Sequence, residues 1–169
     1  MIKRIHIQKQ QNNKKECKKL KVHEKELMDA DKEKYLGDIL NKGGNIRDTI
    51  QDRKNKGFGI VSEICAILNY IPLGKHKLEI GLLLRQAMLI NSMLFNSEAW
   101  HAIKKKDIKI LESVDEHLLR SLVEAHSKTP LEFLYLEVGA IPIRFIIASR
   151  RIMYQQILLK RNEEETSWG

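Results

Sequence analysis

Residues 78–100 read LEIGLLLRQAMLINSMLFNSEAW. From Leu78 to Phe95 the run is apolar nearly all round, the pattern of a central buried helix. Pro72 and Gly74 break the chain just before it, so the helix is expected to begin near Lys75 and to reach Phe95 or beyond. Glu79, Arg85, Gln86 and Asn91 interrupt the run and argue against a membrane span, which needs about 20 near-continuous apolar residues. Asn96, Ser97 and Glu98 then fall where the pattern asks for core. A structural role is expected for them: polar groups that bond to backbone of neighbouring helices, with Trp100 packed beside them. Left unpaired, each would cost about 1–3 kcal/mol.

Outward from this helix, the flanking segments are helical too. Asn45 can cap a helix from Ile46 to about Asn69, with Asp48 in its first turn. A third helix from about Lys106 to Ala125 places Ile108, Leu111, Val114, Leu118, Leu119 and Leu122 three and four apart, an amphipathic face. Lys128-Thr129-Pro130 starts a short helix, Leu131 to Leu136, with Thr129 the expected N-cap, Pro130 at the first helical position and Gly139 ending it. A last helix runs from Pro142 to about Arg161, before the acidic run Glu163–Glu165.

Upstream, LKVHEKEL (20–27) and KYLGDIL (34–40) are expected to be two short strands joined through DADKE (29–33), with Lys42-Gly43-Gly44 as a turn. Residues 1–19 are basic and polar and cannot bury a core. The expected fold is therefore mainly α, an N-terminal β-hairpin followed by a bundle of about five helices. Its divisions are an arm at 1–19, a hairpin at 20–44, the bundle at 45–162 and a tail at 163–169.

The 169 residues carry a formal net charge of +8. Such a balance speaks of partners: nucleic acid, an anionic membrane or an acidic protein. Cys17 and Cys65 show no ligand or pairing pattern and read as free thiols of an intracellular chain. No two aspartates are adjacent, and Asp29, Asp31, Asp38, Asp48 and Asp52 are scattered, so a two-metal phosphoryl-transfer site is not expected. The histidines lie in different elements, and Ser97 has no patterned base, which leaves neither a metal centre nor a nucleophile to assign.

Gly57 and Gly59 are the unusual feature of the first helix, since each should cost about 1 kcal/mol against Ala. Two accounts stand: close approach of the backbone to a partner, either a sugar-phosphate track or another helix, or a simple helix break. Neighbouring Arg47, Arg53, Lys54 and Lys56 favour a nucleic-acid face. A second basic group, Arg144, Arg150, Arg151, Lys160 and Arg161, reads as the outer face of the last helix.

The ordered set Tyr35-Leu36-Gly37; Phe95-Asn96-Ser97-Glu98-Ala99-Trp100; Leu111-Glu112 with Leu119-Arg120; Glu132, Leu134-Tyr135, Glu137, Gly139, Pro142 and Ile143; and Arg150-Arg151 with Tyr154, Ile157 and Leu158 is distinctive. It resembles the region C-terminal to the palm in reverse transcriptases of non-LTR (LINE-like) retrotransposons, over roughly residues 20–162. The resemblance implies a thumb and post-thumb fragment of an RNA-directed DNA polymerase. The palm aspartates, and the Mg²⁺ they would hold, are not in this chain, so no activity is expected of it alone. It further implies that Lys34, Tyr35, Leu36 and Gly37 act like a primer grip and that Arg47, Arg53, Lys54, Lys56 and Gly57 contact the duplex. The expected partner is an RNA–DNA hybrid or another nucleic-acid duplex, with no membrane and no cofactor. The alternatives are a helical protein-interaction module, meeting a palm domain or a second copy, and a transposon relic.

Overall fold

A computed structural model describes residues 21–22, 25–26, 30–100 and 103–166. The expectations for the 1–19 arm lie outside the described residues. The chain forms two compact units, Met1–Thr49 and Ile50–Gly169.

In the first unit β1 (Lys21–Val22) pairs antiparallel with β2 (Lys25–Glu26), and β3 (Lys32–Tyr35) pairs antiparallel with β4 (Asp38–Asn41). The expected single hairpin across DADKE is thus replaced by two tighter ones. Lys32 and Glu33, expected in the connection, belong to β3, and Leu36-Gly37, expected in a strand, makes the bend. The reason is local. Leu36 has φ 47° and Gly37 φ 87°, and positive φ at both central residues is the demand of a two-residue type I′ turn. Gly37 meets it freely, whereas Leu36 gives up about 1 kcal/mol to do so. The strand KEKY has no apolar alternation, so hydrophobic period could not reveal it. At the far end of the hairpin Gly44 N–H donates to Asn41 O at 3.0 Å, closing the expected turn.

Helix α1 (Arg47–Leu68) starts in the first unit and continues into the second. Asn45 Oδ1 accepts from Arg47 N–H at 3.2 Å, the expected cap.

The second unit is the helical bundle. The stretch that opened the reading begins at Lys75 as expected, but it is not uniform. α2 (Lys75–Leu84) passes into a π-helical stretch, Arg85–Ile90, and then α3 (Asn91–Met93). Nor is it buried all round, since Leu83 is 69 % exposed and Phe95 54 %. Its inner side is Gly81, Arg85, Leu89 and Met93, with Ile90 and Leu94 beside them. A row that repeats every fourth residue drifts by about 40° per step on a regular α-helix. The wider i→i+5 turn removes part of that drift and keeps the row on one side.

α4 (Lys105–Val123) buries Leu111, Val114, Leu118, Leu119 and Leu122, the expected face. Its start is held by Lys104 N–H donating to Asp107 Oδ2 at 3.0 Å. α5 (Leu131–Val138) begins at Leu131 as expected and runs two residues beyond the expected end at Leu136. Extended Pro130 occupies the N-cap position, so no Thr129 side-chain cap forms. Gly139, φ 66°, ends α5 as expected, and Ala140 N–H donates to Tyr135 O. α6 (Ile143–Thr166) is the last helix and carries Glu163–Glu165 within it. No helix of the described residues is long and apolar enough to cross a membrane.

Candidate nucleic-acid interface

Within the first unit the β3–β4 hairpin is fastened to the opening turn of α1 by side chains. Thr49 Oγ1 accepts from Ile39 N–H at 2.8 Å and donates to Ile39 O at 3.3 Å. Buried Asn41 donates through Nδ2 to Asn45 O at 3.0 Å and to Asp48 Oδ2 at 2.9 Å, while its Oδ1 accepts from Asn45 N–H. Lys32 Nζ reaches Asp48 Oδ1 at 3.0 Å, and Lys42 Nζ reaches Asp31 at 2.7 Å. The hydrogen bonds from Lys32 and Asn41 hold the Asp48 carboxyl below its ordinary value, and the Lys42 hydrogen bond does the same for Asp31.

This bracing positions a tip. Tyr35 is 63 % exposed and Leu36 70 %, with exposed Lys34 one step back along β3 and Gly37 half-buried in the bend. Arg47, at the start of α1, is exposed as well. The first unit thus brings Lys34, Tyr35, Leu36 and Gly37 together on one element, with Arg47 on the helix that the hairpin is pinned to.

In the second unit the sequence candidates divide by depth. Arg53 is buried, and its Nη1 donates to Ser92 O at 2.9 Å while its guanidinium lies 5.7 Å from the Phe95 ring centre. Gly57 is buried, and a Cβ there would come within 2.6 Å of Met93 Sδ and 2.9 Å of Val114 Cγ1. Of the two accounts of this glycine, close approach to another helix is the one observed, and α1 runs through it unbroken. Gly59 meets nothing within 4 Å and is exposed. Lys54 is half-buried with Nζ 5.9 Å from the Phe58 ring, and exposed Lys56 pairs with Asp52 at 2.7 Å. Lys54 and Lys56 therefore keep access to solvent, whereas Arg53 and Gly57 face the interior.

The Asn96-Ser97-Glu98 segment is where the long helix stops. Asn96 adopts the left-handed conformation, φ 61°, which Asn tolerates better than most residues. A 3₁₀ turn, Ser97–Ala99, follows and packs against α6, with Trp100 buried beside it. The expected helix-to-helix bonding is not general. Ser97 Oγ is fully buried and has no hydrogen-bond partner among the described residues. Its backbone N–H donates to Leu94 O instead, and Glu98 is half-buried.

Sequence reasoning missed what the arginines do. Arg53 takes Ser92 O, and Arg150 Nη1 donates to Leu94 O at 2.6 Å, so the two cover carbonyls at the end of the same helix. Arg120 donates to His126 O and Thr129 O beyond the end of α4. Arg144 pairs with Glu112 at 3.2 Å. Arg144 and Arg150, read as outer-face cations, thus turn toward the bundle. Deepest is Arg85, which forks onto Asp115 with two bonds of 2.7 Å and also donates to Ile141 O. Tyr135 Oη donates to Asp115 Oδ2 at 2.9 Å. Burial, and then the Asp115 charge, push the Tyr135 phenol well above its ordinary value, so it stays protonated. One signal was legible: Asp115 sits inside the apolar face of α4, between Val114 and Leu118.

Cys65 is a free thiol with Sγ 3.4 Å from Ser121 Oγ; Cys17 lies outside the described residues. Among the described residues no three His, Cys, Asp or Glu side chains gather in a way that could hold a metal ion. Comparison with protein-family models, with curated proteins and with solved structures finds no match for the chain.

Proposed function

We propose that the chain is a thumb-like module of the retrotransposon reverse-transcriptase type, which holds a template–primer duplex through backbone contacts and does not itself catalyse synthesis. The observation that carries the reading is the braced hairpin tip. It holds an exposed aromatic ring, Tyr35, and an exposed Leu36 next to Lys34 on a support fixed by Thr49 and Asn41. A ring on which a base can stack, beside cations that can reach phosphate, is what non-sequence-specific strand binding uses. The formal net charge of +8 adds a general attraction to polyanions. An RNA–DNA hybrid suits such a surface, because its geometry is met through shape and backbone. Arg47 is the further accessible contact on the first unit in this reading, and Lys54 and Lys56 are separate candidates on the second. Arg53 and Gly57 support it only by holding α1 in place.

The test is a fluorescence-anisotropy titration of the whole chain with a labelled RNA–DNA hybrid at several salt concentrations. Binding that weakens linearly in log–log form is expected. Tyr35→Ala should weaken it at every salt concentration, and Arg47→Ala should lower the salt slope by about one. No binding at low salt, or binding indifferent to ionic strength, ends the proposal.

A further inference from the structure

Between the helix that carries the π-helical stretch, the α5–α6 connection and the first turns of α6, the second unit holds a cleft of about 630 Å³. Small-molecule sites run from about 300 to 1,000 Å³. Leu82, Ile141, Phe145 and Ile146 supply its apolar lining, and Phe145 is 57 % exposed. Arg85, Gln86, Ser149 and Arg150 supply the polar lining, and no carboxylate lines the cleft among the described residues.

These polar groups are held in place with donors left over. Arg85 is 4 % exposed and directs Nε and Nη2 to Asp115 and Ile141 O. Its Nη1 has no partner among the described residues and is not sealed from solvent. Gln86 and Ser149 are exposed, and their side chains make no hydrogen bond among the described residues. Arg150 donates to Leu94 O at 2.6 Å and to Asn91 Oδ1 at 3.5 Å. Both acceptors are neutral, so they fix the guanidinium without cancelling its charge.

Charge then selects the ligand. Asp115 cancels Arg85, which leaves Arg150 as one uncompensated positive charge at the cleft. A single carboxylate matches it, and guanidinium, amide and hydroxyl groups are the donors a carboxylate accepts from. A phosphate dianion would bring a second charge with no counterpart into a partly apolar site, at a cost in desolvation. The apolar lining fits a hydrocarbon or aromatic body attached to that carboxylate.

We propose that this cleft binds a small amphiphilic monocarboxylate, its carboxylate at Arg150, Gln86 and Ser149 and its apolar body against Ile141 and Phe145. Arg85 Nη1 is a further donor at the buried side. The proposal does not depend on the nucleic-acid reading.

An NMR titration of the whole isotope-labelled chain with phenylbutyrate, without nucleic acid and at about pH 8, tests it. Saturable shifts are expected at the amides of residues 82–86 and 139–150. Uncharged phenylbutanamide and dianionic phenylbutyl phosphate should each bind at least about tenfold more weakly. Gln86→Glu and Ser149→Glu should each weaken phenylbutyrate binding about tenfold, since each sets a second carboxylate beside the first. The rest of the spectrum should stay native, because both replaced side chains are exposed. No saturable shift, shifts centred elsewhere, an amide or phosphate that binds as tightly as the acid, or glutamate variants that bind like the native chain would overturn the proposal.

Discussion

The hairpin unit and the bundle use charge in opposite directions. In the first unit neutral side chains do most of the fastening, with one ion pair, Lys32–Asp48, beside them. Thr49 and Asn41 bond the hairpin to the start of α1, while Lys34 and Arg47 stand exposed. In the bundle the arginines do the fastening, turned inward onto Asp115 and onto the backbone carbonyls of Ser92, Leu94 and Ile141. The difference follows from what each unit must satisfy. A hairpin pairs its own backbone, so it needs only to be pinned. A bundle of interrupted helices leaves carbonyls without intrahelical donors, and a long planar cation with five N–H groups can reach them. The basic residues are thus two populations, one turned inward to hold the protein and one that stays exposed.

Four tests would break or sharpen that contrast. Asp115→Ala should have the largest effect, about 3–5 kcal/mol, because it strands a buried guanidinium and takes the Tyr135 acceptor. Denaturant unfolding measures it, and the Arg85→Met, Asp115→Leu double variant should be milder than either single change. Arg53→Ala should come next, at about 1–3 kcal/mol, as Ser92 O loses its donor. By contrast Lys54→Ala and Lys56→Ala should stay within about 0.5 kcal/mol while weakening hybrid binding. An Arg53→Ala chain that melts like the native one would erase the inward–outward distinction. The smallest effect is a pH dependence of the hairpin unit. The folded Asp48 carboxyl lies below its ordinary 3.8. Its contribution is therefore present above that value and lost as pH falls through the lower folded one. Amide protection factors across residues 32–41 should fall there, and Asp48→Asn should flatten the response.

Much of the helical architecture was legible. The stripe of α4, the Asn45 cap, the Gly139 stop and the Lys75 start each rest on local chemistry that any context preserves. The tight turn at Leu36-Gly37 was hidden because Leu seldom adopts positive φ, so nothing in Tyr-Leu-Gly announced it. The π-helical stretch was hidden because one extra residue per turn changes register without changing composition. Depth was the hardest quantity to read. Arg53 and Lys54 are neighbours in a charged run, and only the position of α1 against α3 and α4 separates a buried residue from one with access to solvent. Gly57, lying on that same buried side, records the close approach.

The anchoring of the hairpin has a mechanical consequence. Four residues of strand separate Asn41 from the bend, roughly 13 Å at about 3.3 Å per residue. The hairpin is a lever with its fulcrum at Asn41. By that geometry, a tilt of about 10° there would carry the Tyr35 ring by roughly 2 Å, over half the thickness of a stacked base. Thr49 holds Ile39, two residues nearer the bend, so its two bonds resist that tilt through a longer arm than those of Asn41. Precision at the tip is therefore set at its root, and loosening Asn41 would blur the position of a ring it never touches.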